Sequence, residues 1–143
     1  MKKKRVLFLI LGATLLLLVL ILCFVFWPRA ILPDKKGLKV NSVTYRDENI
    51  TEFVDADAVV AIIEKYKAFR SIETFSTSRD DRVAIIDLYV DTEGLFFHIT
   101  LGKHNFYEYS TPKGITNYTI IDGDALTAEL QSLFDQADVP ALP

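Results

Sequence analysis

The sequence predicts an α+β protein: an N-terminal transmembrane helix, then a small domain of an antiparallel β-meander with a helix near each end. Three observations carry this expectation. Residues 6–27 form a run of 22 uncharged, mostly aliphatic residues. Behind it, β-rich segments follow one another across turns of two to four residues, too short for parallel crossovers, which need a dozen residues or more. Two stretches flanking those segments repeat apolar residues at three- and four-residue spacing, the mark of helices that lay one face on a sheet.

The apolar run is long enough to cross a bilayer. At about 1.5 Å per residue it covers roughly 33 Å, against a hydrocarbon core of about 30 Å. Trp27 stands at its far end, where an indole prefers the interface, and Pro28 stops the helix. A cleaved signal peptide would have a shorter apolar region and an Ala-x-Ala-like site. A lipoprotein signal would place a small residue before the cysteine, whereas Leu22 precedes Cys23. The expectation is an uncleaved signal anchor with its span from Val6 to Trp27. Lys2, Lys3, Lys4 and Arg5 abut the span, and Arg29, Lys35, Lys36 and Lys39 lie scattered behind it. The tighter cluster favours a cytoplasmic N-terminus and a domain outside.

The organisation expected is a basic tip (1–5), the span (6–27), a linker (28–37), a soluble domain (38–136) and a tail (137–143). Charge is segregated along it. The four basic residues of the tip carry +4 of a formal net charge of −3, leaving −7. The four cations at residues 29–39 against Asp34 give +3, so the chain from Val40 onward is −10. So acidic a domain argues against a nucleic-acid partner, which needs cations to displace counterions.

Within the domain, residues 38–46 read as a strand, 47–49 as a turn and 50–53 as a short returning strand. Asp55 or Asp57 is a good N-cap for a helix of about 14 residues carrying Val59, Val60, Ile62, Ile63, Tyr66 and Phe69. Residues 71–78 read as a weak strand. Residues 82–90 are the strongest strand, with Ala84, Ile86, Leu88 and Val90 on one face. Residues 95–101 alternate Leu95, Phe97, Ile99 and Leu101. Gly102-Lys103 suits a two-residue hairpin loop, which would pair Leu101 with His104 and His98 with Tyr107. Residues 104–110 and 115–121 complete the meander across a Thr-Pro-Lys-Gly turn. Asp122 or Asp124 caps a closing helix with Leu126, Leu130, Leu133 and Phe134 as its stripe.

Motifs for chemistry are sparse. No Gly-x-Ser-x-Gly elbow or phosphate-binding glycine loop occurs. His98 and His104 are the two histidines, and Cys23 lies in the span, so a structural zinc site lacks ligands. Carboxylates cluster in turns, where turn geometry explains them. Asp87 is the one acid inside a strong strand and is expected to point outward. Asn49 and Asn117 begin sequons. No cofactor is expected. On the two-residue loop, Phe96, His98 and Thr100 share a sheet face with Asn105, Tyr107 and Tyr109. Aromatic rings with polar tips on an open face suit recognition of a protein, peptide or glycan.

Arg70-Ser71-Ile72-Glu73, residues 83–88, Asn105-Phe106-Tyr107-Glu108-Tyr109, Pro112-Lys113-Gly114-Ile115 and Tyr118 resemble a family of small membrane-anchored domains of unknown function from Gram-positive bacteria. The resemblance covers residues 38–135. Here Ser110-Thr111 stands where that family has Glu-Gln, and Asn117 intervenes before Tyr118. It implies an anchored bacterial surface domain and brings no known activity with it. The function expected is a membrane-tethered, extracytoplasmic, non-enzymatic binding module. The alternative is an inhibitor or immunity-type protein whose acidic domain masks a basic toxin or enzyme.

Overall fold

The computed structural model describes residues 2–32, 36–72, 78–91 and 93–137. It opens with helix α1 (Lys2–Val25), whose window Val6–Val25 has a mean hydropathy of 3.2 and is 0 % buried. This helix is long and apolar enough to cross a membrane. Length and composition fit a membrane anchor or a signal sequence alike. It ends at Val25, two residues short of Trp27. The ring of Pro28 disfavours helical torsions in the residue before it, so the chain unwinds ahead of the proline.

The strands are β1 (Arg29–Ala30), β2 (Leu38–Tyr45), β3 (Glu48–Asn49), β4 (Lys67–Arg70), β5 (Arg82–Val90), β6 (Leu95–Gly102), β7 (Phe106–Thr111) and β8 (Gly114–Ile120). They form one antiparallel sheet in the order β1-β4-β8-β7-β6-β5-β2-β3. The meander β5–β8 is its centre, as the alternation of residues 82–120 predicts. Helices α2 (Ala56–Ile63) and α3 (Gly123–Phe134) touch each other and pack on one face, α2 against β2 and α3 against β6.

That face holds the core. Val43 from β2, Ile86 and Leu88 from β5, Ile99 and Leu101 from β6, and Val59, Ile63, Leu126 and Leu130 from the helices are fully buried. Each such side chain contributes about 1.5–3 kcal/mol by leaving water. An extra residue in β2, between Val40 and Ser42, shifts the register against β5. This bulge keeps both Val40 and Val43 on the core side and turns Ser42 outward.

Several expectations fail for identifiable reasons. The sequence predicts a linker over residues 28–37, solvated from Ile31, and its residues 33–35 lie outside the described residues. Instead Arg29–Ala30 pairs with Lys67 and Ala68, and Ile31 (0 % exposed) and Leu32 (5 %) sit in the core. The loop signals of Pro28, Pro33 and Asp34 mask two residues too apolar to be left in water. The return after Tyr45 is tighter than expected: Arg46 and Asp47 both take positive φ (49° and 68°), which matches the two-residue turn favoured by strand twist. The returning strand is Glu48–Asn49, and Thr51–Phe53 is a 3-10 turn.

Helix α2 is capped as expected, with Asp55 Oδ1 accepting from the Asp57 N–H at 2.9 Å. It stops at Ile63 instead of running to Phe69. Tyr66 and Phe69 fit a helical stripe, but the chain there forms β4, which pairs with β8 and buries Ala68 completely. Apolar residues at 66, 68 and 69 satisfy either period, and the free edge of β8 decides. Of the strand expected over residues 71–78, residues 73–77 lie outside the described residues, and Ser71, Ile72 and Ser78 are not in a strand. Asp122 occupies the cap position of α3 but in the left-handed conformation (φ 54°), without a capping bond from its side chain. Asp124 accepts a bond from Asn105 instead.

Candidate functional site

The six residues expected on one face do not share it. Strand β6 faces β7 with Thr100 opposite Phe106, His98 opposite Glu108 and Phe96 opposite Ser110. Tyr107 and Tyr109 stand opposite Ile99 and Phe97, on the core side. A two-residue loop would have placed His98 opposite Tyr107. The observed register is one residue away, and a slip of one reverses every side chain.

The turn is responsible. Gly102 still pairs with Arg82 on β5, so β6 parts from β7 after Thr100 and five residues make the connection. Asn105 builds that turn rather than decorating a strand. Its Oδ1 accepts from Gly102 N–H (3.1 Å) and Thr127 Oγ1 (2.9 Å), and its Nδ2 donates to Asp124 (2.8 Å). Lys103 N–H donates to the Asp81 carbonyl at 2.9 Å.

On the face opposite α2 and α3, the register lines up Ser42, Asp87, His98, Glu108 and Asn117 across β2, β5, β6, β7 and β8. Ser42 Oγ donates to Asp87 Oδ2 at 2.8 Å, and Asp87 Oδ1 meets His98 Nδ1 at 2.6 Å. Burial pushes the Asp87 carboxyl up, but the bonds from His98 and Ser42 together hold it below its ordinary 3.8. The bond to Asp87 raises the His98 imidazole above 6.5, against the pull of its own burial. Asn117 Oδ1 is buried without a hydrogen-bond partner. Tyr89 and Phe96 flank the row on one side, opposite each other on β5 and β6, and Ile85, Thr100 and Phe106 on the other. Thr100 and Phe106 are buried, while Phe96, His98 and Glu108 are half-buried.

Asp87 points away from the helices, as the sequence indicates. Ser42 and Glu108 belong to the row but were not singled out, because the bulge in β2 and the β6–β7 register place them there. The row can bind and titrate. It lacks the order of a nucleophilic triad, since Ser42 bonds the carboxylate and not the imidazole.

On the helix face, beyond the reach of α2 and α3, lies a cleft of about 380 Å³ lined by Arg29, Ile31, Phe97, Tyr107, Tyr109 and Tyr118. Tyr107 and Tyr118 stack at 4.7 Å with rings 3° from parallel, and Phe97 and Tyr109 meet at 4.9 Å. Burial, with the neighbouring Tyr118, pushes the Tyr107 phenol far above its usual range, so it stays a neutral hydrogen-bonding group. Arg29 and Tyr118 could not be assigned to this cleft from sequence, since β1 and the core-side placement of the tyrosines both follow from tertiary pairing. A larger recess of about 780 Å³ at the start of α3 is lined by Lys103, His104, Asn105 and Asp124 among others. Its central side chain, Asn105, is already committed to Gly102, Asp124 and Thr127.

Three or more His, Cys, Asp or Glu side chains placed to hold a metal are not found among the described residues. No family model, curated protein or solved structure matches the chain.

Proposed function

We propose that this chain is a single-pass, membrane-anchored, non-enzymatic binding module, with its N-terminus in the cytoplasm and its domain outside. The partner is a protein, peptide or glycan, held on the sheet face opposite α2 and α3. The observation that carries this reading is the row Ser42–Asp87–His98–Glu108, flanked by the half-buried Tyr89 and Phe96 on the face opposite α2 and α3. A titratable, hydrogen-bonded row beside aromatic side chains gives both polar specificity and apolar contact area. Of the residues expected to bind, Phe96 and His98 are half-buried on this face beside Glu108 and Ser110, while Thr100 lies buried on it.

Topology is tested first. In a Cys23→Ser background with Ser132→Cys on the exposed side of α3, a membrane-impermeant thiol reagent should label intact cells. Labelling only after lysis would overturn the outside placement. For the face, a photo-crosslinking amino acid at Phe96 in intact cells should give a discrete adduct that the same group at Glu52, on the distant 3-10 turn, does not give. Adducts of equal yield at both positions would overturn it.

A further inference from the structure

The aromatic cleft lies on the other face from that row, and it begins where α1 ends. Its wall includes Arg29 and Ile31, four and six residues beyond Val25. At no more than about 3.5 Å per residue, Arg29 stays within about 14 Å of the helix end. The structure holds it closer: the Arg29 guanidinium lies 5.8 Å from the ring centroid of Phe24, in the last turn of α1. The 20 residues of Val6–Val25 make a span of about 30 Å, which fills the hydrocarbon core and puts the next residues in the headgroup layer. The cleft therefore opens where lipid headgroups are densest.

Its chemistry is selective. Among the described residues that line it, Arg29 carries the only charge, so an occupant gains from a negative charge. A guanidinium matches phosphate oxygens with two parallel donors. The tyrosines add neutral phenols and ring surface of the kind that collects at membrane interfaces. The remainder of the domain is acidic, −10 from Val40 onward. An anion at the membrane surface is thus attracted to this end of the molecule and repelled elsewhere.

We infer that the cleft lined by Arg29, Phe97, Tyr107, Tyr109 and Tyr118 binds the phosphate headgroup of an anionic phospholipid in the leaflet next to the domain. The inference rests on α1 being a membrane anchor, and it is independent of the proposed partner face. The bound lipid would fix the domain's tilt against the bilayer and so aim the opposite sheet face away from it.

The test uses the full chain in phosphatidylcholine vesicles. Trp27, the sole tryptophan, stands two residues from Arg29 and reports by quenching from lipids spin-labelled in the headgroup. Spin-labelled phosphatidylglycerol should quench more than labelled phosphatidylcholine, by about fivefold in apparent affinity. Tyr109→Ala leaves every charge in place and should return the ratio to about one. Arg29→Lys should retain part of the preference and Arg29→Gln should lose it. A preference that survives Tyr109→Ala but disappears with Lys36→Gln and Lys39→Gln would mean charge attraction without a site, and would overturn the inference. So would equal competition by water-soluble glycerol phosphate, which would make the ligand a free phosphate ester. Circular dichroism of each variant separates lost binding from lost folding. Extraction by alkaline carbonate separates the two premises. A chain that extracts refutes the anchor, whereas a retained chain with no headgroup preference refutes the inference alone.

Discussion

Asp87 Oδ1 and His98 Nδ1 face each other at 2.6 Å across β5 and β6, in the middle of the sheet face opposite α2 and α3. Ser42, on the opposite side of Asp87, holds the second carboxylate oxygen at 2.8 Å. The pair is partly shielded, with side chains 20 % and 33 % exposed, so its charge state is set by the protein as much as by solvent.

The pair predicts a pH window for stability. His98 is raised above 6.5, so its contribution is complete below 6.5 and fades as pH rises through the higher folded value. Asp87 is lowered below 3.8, so its contribution is complete above 3.8 and fades as pH falls through the lower folded value. Both act together between 3.8 and 6.5. Asp87→Asn should therefore cost more at pH 5 than at pH 8, by about 1 kcal/mol once solvent screening is allowed for. Urea denaturation of the variant and the parent at both pH values measures the difference, and a cost independent of pH would contradict the charged pairing.

Gly102 is predicted to be intolerant of any side chain. Its φ is +155°, and a Cβ there would lie 2.2 Å from the carbonyl oxygen of Asp81, a backbone atom that cannot swing aside. Gly102→Ala should cost about 2–3 kcal/mol by forcing the β5 start and the β6–β7 turn apart. The thermal midpoint of the domain reads the loss directly.

Tyr45 ties β2 to the end of α3. Its phenol donates to Asp135 Oδ1 at 2.7 Å while its ring packs 5.4 Å from Phe134. Tyr45→Phe keeps the ring contact and removes the bond, for an expected cost of about 1 kcal/mol. Tyr45→Ala should cost at least about 3 kcal/mol, since the core then loses an aromatic side chain. Chemical denaturation of the two variants separates the two contributions.

The apolar helix makes its own prediction. Leu16→Arg places a charge near the centre of the 20-residue span, at about 2.5–3.5 kcal/mol of insertion free energy. The variant should shift measurably from the membrane fraction to the soluble fraction after alkaline carbonate treatment. The conservative Leu16→Phe should stay in the membrane, and equal retention of both would argue against a spanning segment.

The apolar span, the meander of residues 82–120 and the closing helix were legible in the sequence because each depends on local periodicity. Twenty uncharged residues have few alternatives in water or lipid. Strict alternation at Ala84, Ile86, Leu88 and Val90, or at Leu95, Phe97, Ile99 and Leu101, determines which side of a strand faces the core. The caps were half legible: Asp55 acts as its type suggests, while Asp122 holds the cap position of α3 without a side-chain bond and Asp124 accepts from Asn105.

Everything that depends on which strand meets which was decided by the tertiary structure. Residues 67–70 carry side chains that suit helix or strand, and the open edge of β8 made them a strand. Ile31 and Leu32 lie between loop-forming residues, and the core took them in because their burial outweighs the turn signals around them. The sequence named Phe96, His98, Thr100, Asn105, Tyr107 and Tyr109 as one surface, and the fold divided them between two faces and a turn. A strand's period of two makes face assignment depend on register to a single residue. That register was set by Gly102 pairing with Arg82 and by Asn105 bonding Thr127, contacts between residues far apart in the chain that no local pattern encodes.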